Sequence, residues 1–163
     1  MRRNRGRARD EVVIDGALKR LAPSEVLEAL QGALAAERRA AADYDAHAHA
    51  GEQSGAPQDV CEALETLRDV EQEHAARLAA RIAALGGMPT GALPRVEPRV
   101  AGDSLRDWIK ADLEAEQWAI VEYARLVADI VDDDETVELM TELLFDEIRH
   151  ATWLKTTLRS LRT

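Results

Sequence analysis

The chain has few of the residues that build disulfide-linked, aromatic-rich or membrane-spanning proteins. Aromatic residues make up 4% of the sequence, and Cys61 is the single cysteine. One cysteine cannot form an internal disulfide, which favours a reduced, cytoplasmic protein. No apolar run approaches ~18 residues, and no apolar segment follows the N-terminal arginines, so we expect neither a membrane span nor a signal peptide.

Helix-forming residues and acidic charge are abundant instead. Alanine, leucine, glutamate and arginine dominate, and these side chains lose little rotamer freedom in a helix. The net charge is −10, yet the first nine residues, MRRNRGRAR, carry only basic charge. The acidic remainder repels nucleic acid, so any contact with DNA would have to come from residues 1–9.

Hydrophobic periodicity and breaker residues predict four long helices. A basic arm over residues 1–23, with a short helix, precedes a bundle over residues 24–163. We predict Ser24 as the first helix cap, GEQSGAP (51–57) as a polar turn and residues 86–103 as an extended linker. The helices are predicted over about Ser24–His49, Gln58–Leu85, Ser104–Val131 and Glu135–Leu161. Two short turns and one long connection describe an all-α antiparallel four-helix bundle with a single crossover between the second and third helices.

The inward stripe of each predicted helix is apolar except near its middle. There the first and third helices each contribute one glutamate, and the second and fourth each contribute a Glu-x-x-His motif, EQEH (71–74) and EIRH (147–150). The six polar residues are Glu37, Glu71, His74, Glu116, Glu147 and His150. Tyr44 follows Glu37 by seven residues, and Tyr123 follows Glu116 by the same spacing. The two helix pairs are therefore predicted to be related by a pseudo-twofold axis.

Four carboxylates at the centre of a bundle require compensation, because each buried ion costs several kcal/mol to desolvate. Two divalent cations would balance four carboxylates, and two neutral imidazoles would complete the ligand set. Residues at positions i and i+3 share a helix face, so one glutamate and one histidine of a helix can reach the same metal. A single Glu-x-x-His is typical of a solvated face, but two copies on apolar stripes predict a dimetal site for iron or manganese.

This donor pattern is that of the ferritin-like dimetal bundles, and the sequence resembles the ferritin-like superfamily, bacterioferritin above all. The similarity lies in VLEALQGALAAERRAAADYDAHA (26–48), EQEHAARLAARIAALGGMP (71–89), DLEAE (112–116) and DEIRHATWL (146–154). It implies a di-iron ferroxidase that oxidises Fe²⁺ with O₂ or H₂O₂, for iron storage, detoxification and protection from oxidative stress. It also implies that Glu71 and Glu147 bridge two irons.

The resemblance assigns the remaining ligands by position and includes two departures. Glu37 and His74 are implied on one iron, and Glu116 and His150 on the other. Gln72 stands where bacterioferritin has a haem-ligating methionine, so we expect no haem. Only 13 residues follow His150, too few for the family's fifth helix, which favours a homo-oligomer of 12 subunits or fewer over a 24-subunit shell.

Two other functions stay open at this point. The first is a dimetal peroxidase resembling rubrerythrin or manganese catalase, although Ala119 stands where rubrerythrin carries an extra glutamate. The second is a DNA-protecting shell protein that uses the arginine-rich arm.

For most of the polar residues near the six candidate ligands, the sequence leaves two roles open. Tyr44 and Tyr123 are expected either to hydrogen-bond ligand carboxylates and supply electrons, or to be core tyrosines. His47 and His49 fall at the predicted end of the first helix, where we expect a surface role, with iron entry as the alternative. Asp146 falls off the apolar stripe and is expected to be solvated.

Overall fold

A computed structural model describes residues 20–90 and 102–161. These residues form four helices and no strand, which confirms the predicted all-α four-helix bundle. Residues 1–19 of the basic arm, with most of its predicted short helix, residues 91–101 of the crossover and residues 162–163 lie outside the described residues. The helices are α1 (Pro23–Ser54), α2 (Gln58–Ala84), α3 (Leu105–Asp129) and α4 (Asp134–Ser160). Contacts are densest between α1 and α2 and between α3 and α4, so two helical hairpins pack against each other.

The first helix begins earlier and ends later than its sequence pattern predicted. Ala22 is the N-cap and Pro23 occupies the first helical position, so the prediction of Ser24 as the cap was wrong. Proline fits there because its missing N–H would have no intrahelical partner. The Glu25 carboxylate satisfies the backbone donor of the cap residue by accepting a hydrogen bond from the Ala22 N–H at 2.8 Å.

The predicted polar turn over residues 51–57 is wrong in its first half, because α1 continues to Ser54. Gly51 lies inside the helix and is buried against α2. A Cβ placed on Gly51 would lie 3.0 Å from the Cys61 sulfur, so the missing side chain lets the two helices approach. Gly55, with φ of 76°, is the residue that ends the helix, and the Ala56 N–H closes the turn on the Gly51 carbonyl at 2.9 Å.

Side-chain caps begin the two helices of the second hairpin. Ser104 caps α3, because its hydroxyl accepts a hydrogen bond from the Asp107 N–H at 3.2 Å. Asp133 caps α4 by accepting from the Thr136 N–H at 3.1 Å. Arg81 of α2 reaches this cap and pairs with Asp133, which ties the second helix to the start of the fourth.

Two apolar clusters fill the bundle, one on each side of a polar layer. The layer crosses all four helices at mid-length and contains the six residues singled out in the sequence. On one side the cluster includes Leu30, Leu34, Leu78, Ile82, Met140 and Leu143. On the other side it includes Leu64, Leu67, Ile109, Leu113 and Leu154. No helix among the described residues is long and apolar enough to cross a membrane.

We expect Gly51→Val to lower the free energy of unfolding by about 1–3 kcal/mol, because the added methyl groups would press on the Cys61 sulfur. Gly32→Ala is the matched control, since it lies in the same helix and a Cβ there would meet no atom within 4 Å. That variant should gain about 0.5–1 kcal/mol from the reduced backbone entropy of the unfolded chain. Urea unfolding of the two variants checks this, and equal changes of stability would contradict the close contact at Gly51.

Candidate metal centre

The six polar residues of the mid-bundle layer converge in the interior. All are buried, and the most exposed of them, His150, keeps only 7% of its surface. Their side-chain ligand atoms fall into two groups, in each of which all ligand atoms lie within 4.8 Å of one another. One group is Glu37, Glu71, His74 and Glu147, and the other is Glu71, Glu116, Glu147 and His150. Glu71 and Glu147 belong to both groups, so the two candidate metal positions share two carboxylates.

The two histidines face the shared carboxylates in matching ways. The Nδ1 atom of His74 lies 3.1 Å from a Glu71 oxygen and 3.2 Å from a Glu147 oxygen. The Nδ1 atom of His150 lies 3.1 Å from Glu147 and 2.9 Å from Glu71. Each histidine therefore contacts the glutamate of its own motif and that of the facing helix. The unshared glutamates are farther away, since Glu37 lies 3.7 Å from the His74 Nδ1 atom and Glu116 lies 3.7 Å from that of His150.

Both tyrosines hydrogen-bond a candidate ligand on the opposite hairpin. The Tyr44 hydroxyl donates to Glu116, and the Tyr123 hydroxyl donates to Glu37. The sequence placed each tyrosine two turns from the glutamate of its own helix, whereas the structure pairs it with the glutamate of the other. The exchange links α1 to α3 twice at the level of the site.

Asp146 is not the solvated acid that its position off the apolar stripe predicted. Its side chain is 23% exposed and lies 3.3 Å from the Nε2 atom of His74. It also pairs with Arg149 one turn later on α4. A carboxylate behind a ligand histidine fixes the ring orientation and raises its basicity, so Asp146 supports His74 from the side away from the site.

His47 is also buried, contrary to the expected surface role, while His49 is exposed. His47 is buried because α1 continues to Ser54, so that His47 lies inside the helix and on the same face as Tyr44, which lies three residues before it. Its Nδ1 atom contacts both carboxylate oxygens of Asp112 at 2.9 and 3.0 Å. Asp112 was not among the predicted site residues, although its position four residues before Glu116 on the same helix face is a signal that could have identified it.

A cavity of about 700 Å³ lies between α1 and α3 and leads to the layer. Small residues of both helices form part of its walls, including Gly32, Ala36, Ala40, Ala115 and Ala119. Candidate ligands from three helices line its inner part, namely Glu37, Glu116 and Glu147. Small side chains on both helices thus leave a path by which solutes can reach the carboxylates.

Comparison with known proteins identifies the family. The family model for the ferritin-like domain matches residues 21–163. The chain belongs to the ferritin family. The match spans most of the sequence and includes all six residues of the layer.

Solved bacterioferritins have the same fold as this ferritin-like chain. A Rhodobacter capsulatus bacterioferritin, described with a metal-free dinuclear site and a haem iron, is 27% identical with a TM-score of 0.75. The alignment covers 83% of this chain and 84% of that one. Bacterioferritin BfrA of Mycobacterium tuberculosis is 23% identical with a TM-score of 0.76, over 87% of this chain and 88% of the other. A comparison with curated protein sequences found no match.

Protons balance the charges of the ferritin-like site in the absence of metal. Burial raises the pKa of Glu37 and Glu116 well above the ordinary value, which favours their neutral forms. Burial acts in the same direction on Glu71 and Glu147, but hydrogen bonds with both histidines outweigh it and lower the pKa of these two carboxyls. The shared glutamates are therefore the ionised pair.

The histidines supply the matching positive charge. Burial lowers the pKa of His74 and His150, but the surrounding glutamates outweigh it and raise each pKa to about 12. Two imidazolium ions then balance the two ionised carboxylates. With two divalent cations, four carboxylates and neutral imidazoles the balance would be the same, so metal would replace protons without changing the buried charge.

Two oxygens show that protons satisfy the site incompletely. One oxygen of Glu71 and one of Glu147 are buried without a hydrogen bond, although each lies within ion-pair distance of a histidine nitrogen. Buried acceptors without a donor are costly and rare. Both belong to the shared carboxylates, which is where two cations would supply the missing partners, so the residues fit a pair of divalent ions.

We expect the binding of two Zn²⁺ ions per chain to release about four protons at neutral pH, because His74, His150, Glu37 and Glu116 must all lose their protons to act as ligands. Since the pKa of each histidine is about 12 without metal, apparent affinity should rise with pH and fall on acidification. Calorimetric titration in two buffers of different ionisation enthalpy measures the proton count. Replacing the exposed His49 with glutamine should leave it unchanged, and a count near zero would contradict the protonation described above.

Proposed function

We propose that this ferritin-like protein is a ferroxidase that binds two Fe²⁺ ions in the mid-bundle layer and oxidises them together. The single observation that carries the proposal is the pair of four-residue ligand groups that share Glu71 and Glu147. Shared carboxylates hold two metals close to each other, which suits a reaction that removes one electron from each. Oxygen and nitrogen donors without thiolate also suit iron.

The electron balance requires the two irons to act as a pair. Two Fe²⁺ and two protons reduce O₂ to H₂O₂, and the same two electrons with two protons reduce H₂O₂ to two water molecules. Paired delivery avoids one-electron oxygen radicals. Iron is therefore a substrate of the proposed reaction, and the protein contributes a template that orients it.

Individual residues would have distinct roles in this reaction. Glu37 with His74 and Glu116 with His150 would hold one iron each, and Glu71 with Glu147 would bridge them. The hydroxyls of Tyr44 and Tyr123 orient the two unshared glutamates. Protons displaced from His74, His150, Glu37 and Glu116 on iron binding would leave the site as the positive charge arrives.

The cavity between α1 and α3 supplies the proposed entry route, since it reaches three of the four glutamates. We propose storage or detoxification of iron, with protection from oxidative stress, as the biological role, in a homo-oligomer of 12 subunits or fewer. The absence of haem is expected from Gln72, which is exposed on α2. Contact of residues 1–9 with DNA stays a prediction.

Anaerobic titration with Fe²⁺ is expected to saturate at two ions per chain. Glu71→Ala and His150→Ala should each slow Fe²⁺ oxidation by more than the ~10–100-fold typical of losing a residue behind a ligand. Glu73→Ala is the matched control, because Glu73 lies in the same motif but is exposed. Saturation well below two ions, or unchanged rates in both ligand variants, would overturn the proposal.

A second measurement separates storage from peroxide turnover. The native mass and iron content of one sample, determined after aerobic Fe²⁺ addition, should show an oligomer that retains oxidised iron. Sustained turnover of H₂O₂ without iron retention would assign the same centre to a peroxidase instead.

A further inference from the structure

The candidate site consists of two halves that match residue by residue. The first half contains Glu37, His74 and the hydroxyl of Tyr123. The second half contains Glu116, His150 and the hydroxyl of Tyr44. The distances within the halves are also alike, since the unshared glutamate lies 3.7 Å from the Nδ1 atom of its histidine in each. On these contacts alone, two cations would bind with similar affinity.

Asp146 behind His74 is one difference between the halves. A second difference lies one turn away from the candidate ligands on α1 and α3. Four residues before Glu116 is Asp112, whereas four residues before Glu37 is Ala33. Three residues after Tyr44 is His47, whereas three residues after Tyr123 is Leu126. Ala33 and Leu126 are buried in an apolar cluster. A polar pair thus supports the second half, where the first half has an apolar contact.

The polar pair has well-defined geometry. His47 is 2% exposed and Asp112 is 5% exposed. The His47 ring stacks on Trp108 at 5.9 Å with 6° between the planes, and Trp108 donates to the Gly102 carbonyl at 3.1 Å. The carboxylate of Asp112 contacts the Nδ1 atom of His47 through both oxygens. The imidazole is therefore held on two sides, by a flat ring and by an ion-pair partner.

The pair is a third polar link between α1 and α3, beside the two tyrosine–glutamate hydrogen bonds. The cavity lies between these helices, and His47 and Asp112 form part of its lining. The contact between them and the Tyr44–Glu116 hydrogen bond are consecutive links between the same two helices. A shift of His47 would move the Tyr44 backbone one turn away, and with it the hydroxyl that orients Glu116.

We propose that His47 and Asp112 are positioning residues that fix Tyr44 and Glu116, and that they make the second metal position differ from the first in affinity. The proposal rests on the metal site of the proposed function. The pair does not touch the metal. It acts by limiting the conformations available to one ligand glutamate, as partners behind ligands do in other metal sites.

The test uses Co²⁺, which occupies such sites without being oxidised by air and reports its coordination through visible absorption. The double change Asp112→Ala with His47→Leu gives the second half the alanine and the leucine that the first half has at the matching positions. Replacing both partners avoids leaving one polar group unpaired in the interior. Glu37→Gln and Glu116→Gln backgrounds isolate the second and the first position respectively. In the Glu37→Gln background, the double change should weaken Co²⁺ binding about 10–100-fold and alter the Co²⁺ spectrum. In the Glu116→Gln background, affinity should not change.

Two controls separate positioning from a general loss of structure. Asp112→Asn keeps an oxygen acceptor for the His47 N–H and should restore most of the affinity of the second position. Asp129→Asn alters another buried aspartate of α3, paired with Arg125 at 3.5 Å, and should leave both positions unchanged. Thermal unfolding of each variant shows that it folds.

The outcomes distinguish this proposal from the proposed function. If the unaltered chain fails to bind two Co²⁺ ions, the metal site itself is wrong. If it binds two and the double change leaves the second position intact, or weakens both positions equally, the positioning role is wrong while the ferroxidase proposal stands.

Discussion

Four carboxylates in the middle of a helical bundle are the constraint on which the rest of this structure depends. Each buried ion costs several kcal/mol to desolvate, and removing its partner is strongly destabilising. The chain places these groups in one layer, where every glutamate meets a histidine or a tyrosine. Apolar clusters above and below supply the favourable burial that offsets the layer.

The same constraint couples metal binding to protonation. The layer is neutral when two imidazolium ions face two carboxylates and the other two glutamates carry protons. It is equally neutral when two divalent cations replace those protons. The exchange of protons for divalent cations would therefore leave the net charge of the layer unchanged. The unbonded oxygens of Glu71 and Glu147 remain the part of the layer that protons do not satisfy.

The layer is nearly symmetric, so the residues that break its symmetry show where its two halves differ. Matched tyrosines, histidines and glutamates provide two similar metal positions. Asp146 behind His74, and the His47–Asp112 pair beside Tyr44, each support only one of the positions. A carboxylate that orients a ligand costs little in stability where it has a partner, yet it changes how firmly that ligand is held. Two candidate metal positions that share two carboxylates are thus expected to bind metal differently.

The sequence by itself determined the helices, their order and the six residues of the layer. Glutamate and histidine on otherwise apolar stripes stand out because a helix repeats its faces every three to four residues. The local sequence pattern predicted both ends of α1 wrongly. A proline fits the first turn of the helix, and Gly51 lies at a contact between helices rather than in a turn. Only the tertiary structure decided that Tyr44 bonds Glu116 rather than Glu37, that Asp146 lies behind His74 and that His47 is buried against Asp112. These contacts join residues far apart in the chain, and their geometry depends on how α1 packs against α3 and α2 against α4, which no single helix encodes.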